Sequence, residues 1–257
     1  MRRNLGAAKL VNAATQYDIK LELDVRCQKL IERRLRRAFP RIALLGEEGD
    51  SGSVQEQYRW VVDPIDGTVN YAYGIPHACV SIALQMRSAE REARNARTRR
   101  DRLLGARRNT EHVTLLGVVY DPFTDELWTA TRGGPARLNG RVIRASRRSK
   151  LAEALVSVGF AKSRHSLERA LPYFAWLSRR VRKARILGAA ALGLTYVATG
   201  RLDAYIERGI NLWDVVAGVL IIERAGGKVW LKRVPGSRRL RLVASNAPLH
   251  DKFPRPR

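Results

Sequence analysis

Trp60-Val61-Val62-Asp63-Pro64-Ile65-Asp66-Gly67-Thr68 is the stretch on which the reading of this chain turns. Trp60-Val61-Val62 predicts a short strand that ends at Asp63-Pro64. Pro64 fixes a turn, so two carboxylates three residues apart converge with the Ile65 carbonyl between them. Gly67 lets the backbone approach a ligand closely, and Thr68 supplies a hydroxyl. A helix starting here would turn its free N–H groups toward an anion such as phosphate.

Upstream, Leu23, Cys27, Leu30, Ile31, Leu35 and Ala38 follow helical spacing, which predicts an amphipathic helix over residues 23–38 that Phe39-Pro40 stops. A short apolar run from Ile42 to Leu45 ends at Gly46-Glu47-Glu48. Far downstream, Asp214 stands at the start of an apolar helix predicted from Trp213 to Ala225 and stopped by Gly226-Gly227. Carboxylates at the tips of apolar strands repel each other and are costly unless they coordinate something. A hard divalent cation resolves this, and Mg²⁺ takes oxygen ligands and few protein carboxylates, with substrate phosphate completing its shell. Taken singly, each segment has an ordinary reading: a turn with a capping aspartate, a solvated Glu-Glu turn, an Asp N-cap. Their joint occurrence in this order argues for a site.

Between these segments, strands and helices alternate. Strands are predicted at Ala78–Leu84, at Leu115–Tyr120 and Glu126–Ala130 as a hairpin around Asp121-Pro122, and at Ala154–Val158, Asp203–Ile206, Lys228–Leu231 and Arg241–Ala244. Turns are read at Gly133-Gly134 and Asn139-Gly140, and a helix rich in small residues at Gly188–Gly200. Tyr173, Phe174 and Trp176 form an aromatic cluster on a further helix, as core or dimer contact. With no internal repeat, this pattern predicts a layered α/β or α+β sandwich. The 257 residues are read as one domain. Its half 1–150 carries the acidic motifs and its half 151–257 the second strand–helix set.

Gly46-Glu47-Glu48, Trp60 to Asn70, and Trp213-Asp214-Val215-Val216-Ala217-Gly218 resemble the three signatures of the inositol monophosphatase family. Gly74-Ile75-Pro76-His77, Gly117 to Pro122, Ala198-Thr199-Gly200, Asp203-Ala204-Tyr205 and Glu223 to Gly227 extend the similarity, which covers roughly residues 15 to 246. The resemblance implies an α-β-α-β-α sandwich and a Mg²⁺-dependent phosphatase of a small phosphorylated metabolite, inositol monophosphate by default. Fructose 1,6-bisphosphate, histidinol phosphate and a nucleotide 3′-phosphate are its other substrates. It implies that Glu47, Asp63, the Ile65 carbonyl, Asp66 and Asp214 hold Mg²⁺, and that Asp24 supports an outer metal site. It implies that Glu47 and Thr68 position or activate the attacking water, that the Gly67 and Thr68 amides hold phosphate, and that Gly188, Ala189, Ala190 and Glu207 contact substrate. A homodimer is expected on the same ground. The chain departs from the family at Val69, where a second threonine is common. It also departs at the lysine ahead of Asp24, for which Lys9 and Lys20 are the candidates, and a truncated or degenerate start is expected where the family usually has a long helix before the segment near Thr15.

The charge is unusual: 48 Lys and Arg against 24 Asp and Glu leave a net +24, a field that attracts anions. It fits steering of an anionic substrate, and it raises a rival reading as an RNA-associated regulatory protein. Nine arginines fall in residues 87–111, read as a loop or solvated helix inserted in a hairpin. Cys27 and Cys79 form neither a disulfide framework nor a zinc pattern and read as small core residues. With no signal-peptide stretch and no apolar run of membrane length, a cytoplasmic location is expected and no membrane partner. A rival reading as a haloacid-dehalogenase-type phosphatase is disfavoured, because Asp63 and Asp66 stand one residue further apart than the D-x-D-G-T pair of that class and Gly46-Glu47-Glu48 and Trp213-Asp214 have no place in its scheme.

Overall fold

The computed structural model describes residues 1–15, 19–53, 56–88, 111–159 and 164–256. The arginine-rich stretch read at 87–111 therefore lies largely outside the described residues. Its flanks pair directly, Arg87 opposite His112 and Ser88 opposite Glu111.

The amphipathic helix predicted at 23–38 is α1, Glu22–Ala38. The Asp24 carboxylate in its first turn accepts the Leu21 N–H at 2.8 Å, satisfying one orphan donor at the N-terminus. Its inner face packs Ile31 and Leu35 against Leu44, Trp60 and Val62, and Leu23 and Cys27 against Leu21, Ile65, Tyr71 and Ala78. A two-stranded ribbon, β1 (Val11–Ala14) with β2 (Ile19–Leu21), leads into it.

Under α1 lies a seven-stranded sheet in sequential order: β3 (Ala43–Gly46), β4 (Tyr58–Asp66), β5 (Cys79–Ser88), β6 (Glu111–Asp121), β7 (Glu126–Thr131), β8 (Arg137–Leu138) and β9 (Arg141–Val142). Only β3–β4 is parallel. The β6–β7 hairpin stands where Asp121-Pro122 predicts it, and the Asp121 carboxylate accepts the Phe123 N–H at 2.8 Å to shape the turn. Asn139-Gly140 joins β8 to β9 with φ of 46° and 80°, the left-handed pair a two-residue hairpin requires.

A second sheet has the order β11-β10-β12-β14-β13, from β10 (Leu155–Val158), β11 (Lys183–Arg185), β12 (Ala204–Ile210), β13 (Lys228–Arg233) and β14 (Leu240–Ser245). Helix α2 (Thr68–Ala72) follows the central motif, and α3 (Arg164–Ser178) covers the outer face of the second sheet with Leu177, Tyr173, Phe174 and Trp176. Helices α4 (Ala190–Ala198) and α5 (Leu212–Arg224) lie between the two sheets and touch both. The result is the expected five-layered α+β sandwich, helix, sheet, helices, sheet, helix. No helix among the described residues is long and apolar enough to cross a membrane.

The middle layer needs small residues. A Cβ on Gly117 of β6 would come within 2.7 Å of the Ala217 carbonyl on α5, backbone against backbone. Gly117→Val is expected to cost about 3 kcal/mol or more of stability, as overpacking with no flexible neighbour to yield. Urea unfolding measures it, and a loss below 1 kcal/mol would show that the layers separate freely.

One difference from the sequence reading matters for the site. The strand expected to stop at Asp63-Pro64 continues to Asp66. Its pairing with β5 shifts between Asp63, opposite Ser81, and Asp66, opposite Cys79, so three steps on β4 match two on β5. This bulge absorbs Pro64, which has no N–H for the ladder. In a regular strand, residues three apart face opposite sides. The extra residue brings Asp63 and Asp66 to the same cleft.

Candidate active site

The cleft, about 290 Å³, opens where the C-terminal end of β4, α2, the N-terminus of α4 and the N-terminus of α5 converge. Glu47, Asp63 and Asp214 line its floor, each with a carboxylate oxygen within 4.8 Å of the others. The Ile65 N–H donates to Asp63 at 3.0 Å, and the Asn211 N–H to Asp214 at 2.9 Å, so two of the three carboxylates are aimed by their own backbone. Ser81 donates to the Trp213 carbonyl at 3.1 Å and ties the start of α5 to β5.

Asp66 stands outside that triad. Its two oxygens accept the Ala190 and Ala191 N–H groups at 3.1 and 2.6 Å, which holds it against the N-terminus of α4. Each oxygen keeps lone pairs for a further partner. Thr68 donates its hydroxyl proton to the Ile65 carbonyl at 2.8 Å and so offers acceptor lone pairs to the cleft. Gly67 has φ +90°, and a Cβ there would press on the His77 carbonyl at 2.8 Å.

The electrostatics is that of acids crowded together. Burial pushes Asp63 well above the usual carboxylate range, and the charges of Glu47, Asp66 and Asp214 add to it. Asp66 rises to about 6 through burial, which the Ala191 and Ala190 amides partly offset. Asp24 does not line the cleft. It is 3% exposed, one of its oxygens has no partner among the described residues, and burial raises it to about 7, with Glu48 and Glu47 adding repulsion.

Of the substrate contacts expected from the resemblance, Gly188 and Ala190 line the cleft, while Ala189 is buried and does not. The Ala190 amide is already committed to Asp66. Glu207 reaches the opposite wall, where the Tyr205 hydroxyl donates to it at 2.6 Å and Gly159 leaves it room. Val69 lines the cleft with its methyl groups, and Ile186 and Ile210 add apolar rim. Lys20, one of the two lysine candidates, pairs with Glu48 at 3.5 Å; Lys9 turns to the Leu5 and Ala7 carbonyls.

Residues 2–90 and 108–245 match the profile of the inositol monophosphatase family. The chain belongs to this family. Its relatives carry two kinds of name. The "Nus factor SuhB" of Xylella fastidiosa is 38% identical over 218 residues, 84% of this chain and 70% of that protein. The "Inositol-1-monophosphatase" of Rhizobium meliloti is 36% identical over 214 residues, 82% and 71%. Among solved structures, the extragenic suppressor protein suhB from Bartonella henselae aligns with a TM-score of 0.81 at 30% identity, covering 98% of this chain and 90% of that one. The family is one of metal-dependent phosphatases, and the acid triad is a donor set of hard oxygen ligands that suits such an ion.

Three residues that shape the site escaped the sequence reading. Asn70 bridges two segments by donating to the His77 and Leu187 carbonyls at 2.9 and 2.8 Å, which fixes the backbone before Gly188. Tyr205 orients Glu207. Gln28, buried on α1, donates to the Gly49 carbonyl at 2.8 Å and accepts the Glu48 N–H at 2.9 Å, so it clasps the loop that carries Glu47. Asn70 and Tyr205 sit inside the quoted motifs and could have been asked for a role. Gln28 had one signal, its place one helical turn after Asp24. Gln28→Ala should raise the Mg²⁺ concentration for half-maximal turnover about tenfold or more, because supports of metal ligands typically govern affinity on that scale. A metal titration checks it, and an unchanged midpoint would leave the clasp a purely structural contact.

Proposed function

We propose that this protein is a Mg²⁺-dependent phosphomonoester hydrolase of a small polyol phosphate, with inositol monophosphate as first candidate. The observation that carries the reading is the triad Glu47, Asp63 and Asp214 on the floor of one small cleft, with Glu207 on the opposite wall. Glu47, Asp63, the Ile65 carbonyl, Asp66 and Asp214 would hold the metal ions, and Asp24 would support an outer one. Bound there, such ions supply an activated water and neutralise charge on phosphate.

The chain's own groups do the rest. Glu47 and the acceptor face of Thr68 orient the attacking water in line with the scissile bond. The Gly67 and Thr68 amides, brought close by the left-handed Gly67, bind phosphate oxygens. Glu207, held by Tyr205, accepts hydrogen bonds from hydroxyls of the alcohol half, and the cleft size favours a small metabolite. The relatives' name of inositol-1-monophosphatase supports the same choice. The chain is expected to act as a cytoplasmic homodimer, which light scattering tests.

Phosphate release decides the reading. Inositol 1-phosphate, fructose 1,6-bisphosphate, histidinol phosphate, a nucleotide 3′-phosphate and glycerol 2-phosphate are assayed with Mg²⁺, with EDTA, and with Mg²⁺ plus Li⁺. Turnover that needs Mg²⁺ supports the reading, and the best substrate names the subclass. Folded protein inactive on every substrate would end it.

A further inference from the structure

The chain carries 48 Lys and Arg, yet among the described residues none of them lines the cleft. Five carboxylates do: Glu47, Asp63, Asp66, Asp214 and Glu207. The excess positive charge therefore draws any anion toward the molecule, while the described wall that a substrate finally meets offers no side-chain cation. Choice among anions falls to the cleft itself. The first four acids belong to the proposed ion-binding group, which receives the scissile phosphate. Glu207 is the charge that faces the other end of the substrate.

The strand β12 fixes where Glu207 stands. Its pairing with β14 shifts between Glu207, opposite Leu242, and Ile210, opposite Leu240, so three steps on one strand match two on the other. As in β4, the bulge turns two residues three apart, here Glu207 and Ile210, to the same cleft. Tyr205, two residues back, shares that face. It is 4% exposed, and a Cβ on Gly193 of α4 would come within 2.7 Å of its ring, so the ring has no room to turn. Its hydroxyl donates to Glu207 at 2.6 Å. A Cβ on Gly159 would overlap the same carboxylate, so the chain keeps that space open for it. Glu207 is thus a buried carboxylate that cannot swing away from a ligand. Ile186 and Ile210 supply apolar wall to the same cleft, which screens charge poorly. A substrate hydroxyl donates to such a group. A second phosphate, itself an acceptor and an anion, is repelled by it.

We infer that Glu207, clamped by Tyr205, is a charge filter: the cleft selects phosphate monoesters whose alcohol half bears hydroxyls and no second anionic group. The inference rests on the phosphatase reading and narrows it, against fructose 1,6-bisphosphate and against any nucleotide 3′-phosphate that also carries a 5′-phosphate.

Substrate pairs that differ by one phosphate test it, inositol 1-phosphate with inositol 1,4-bisphosphate and fructose 1-phosphate with fructose 1,6-bisphosphate. The parent should prefer the single phosphate at least a hundredfold in kcat/KM. Glu207→Gln keeps the shape and removes the charge. It should lower kcat/KM for the monophosphates about tenfold and shrink the preference at least thirtyfold. Tyr205→Phe should raise KM for the monophosphates severalfold with kcat within twofold, and should shrink the preference less than Glu207→Gln does. Lys162→Gln, three residues after Gly159 in the sequence, should leave the preference within threefold. Calorimetry in Mg²⁺ with non-hydrolysable phosphonate analogues of the inositol pair reads the same filter without turnover. The two-phosphate analogue should bind at least a hundredfold more weakly, and Glu207→Gln should relieve most of that difference. Melting curves within a few degrees of the parent establish that each variant is folded. A preference below tenfold, one that Glu207→Gln leaves intact, or one that collapses in Lys162→Gln overturns the filter and leaves the phosphatase reading standing. Folded protein inert toward every substrate overturns both.

Discussion

Asp63→Asn is expected to lower Mg²⁺-dependent phosphate release at least a thousandfold while leaving the protein folded. The carboxylate sits 1% exposed at the bulge of β4 and belongs to the triad with Glu47 and Asp214. Its carbonyl-like oxygen accepts the Ile65 N–H, a bond that an asparagine of the same shape keeps. What the change removes is one negative charge among three. Without that charge the site loses ligand strength for a hard divalent cation, so fewer ions stand beside the substrate phosphate and those that bind are less well placed. In the metal-free protein the same change relieves repulsion, since Asp63 is held far above its usual range by burial and by Glu47, Asp66 and Asp214. The two readouts therefore move in opposite directions: turnover collapses, and the melting temperature in EDTA stays level or rises. Turnover within tenfold of the parent at saturating Mg²⁺ would remove Asp63 from the catalytic machinery.

The part of this molecule that was legible in its sequence is the part where local chemistry and tertiary role coincide. Asp63, Asp66 and Asp214 sit at the ends of apolar segments, and the covalent pattern D-P-x-D-G-T carries its own turn. The positions of α1, α4, α5 and the β6–β7 hairpin follow from periodicity and from glycine or proline stops. The bulge did not follow, because it exists only where β4 meets β5, and pairing register is not written in either strand alone. For the same reason Gln28 was invisible: its amide matters through contact with a loop 20 residues away. At the start of α4 the first free amides point at Asp66 and the Ala189 side chain turns into the core, a placement that neighbouring residues far along the chain decide.

Metal-free protein should be markedly less stable at pH 8 than at pH 5, and Mg²⁺ should remove most of the difference. Asp24 stands at about 7 and Asp66 at about 6, against an ordinary value of 3.8, and Asp63 moves the same way. These groups hold protons in the folded state that the unfolded chain has already released. Their contribution is fully present below about pH 4 and is lost as pH rises through the folded values, so stability falls with pH across the window from about 4 to 7. At about 1.4 kcal/mol per pH unit, Asp24 alone accounts for up to about 4 kcal/mol of this loss. Glu126, lowered by its ion pair with Arg201, acts in the opposite direction but below the window, whereas His77 and His250, both lowered by burial, gain stability as pH rises and offset part of the loss, and Glu223, raised by burial, adds to it. A divalent cation binds the ionised cluster and not the unfolded chain, and stabilises by mass action where the carboxyls have lost their protons. Urea unfolding in EDTA and in Mg²⁺, each at pH 5 and pH 8, measures all four corners. Asp24→Asn should shrink the EDTA difference, because it removes a buried charge with an unpartnered oxygen and keeps the acceptor for Leu21. Equal stability at the two pH values in EDTA would mean that the cluster stays solvated enough to ionise freely, and the argument that these acids are assembled for a cation would lose its energetic basis.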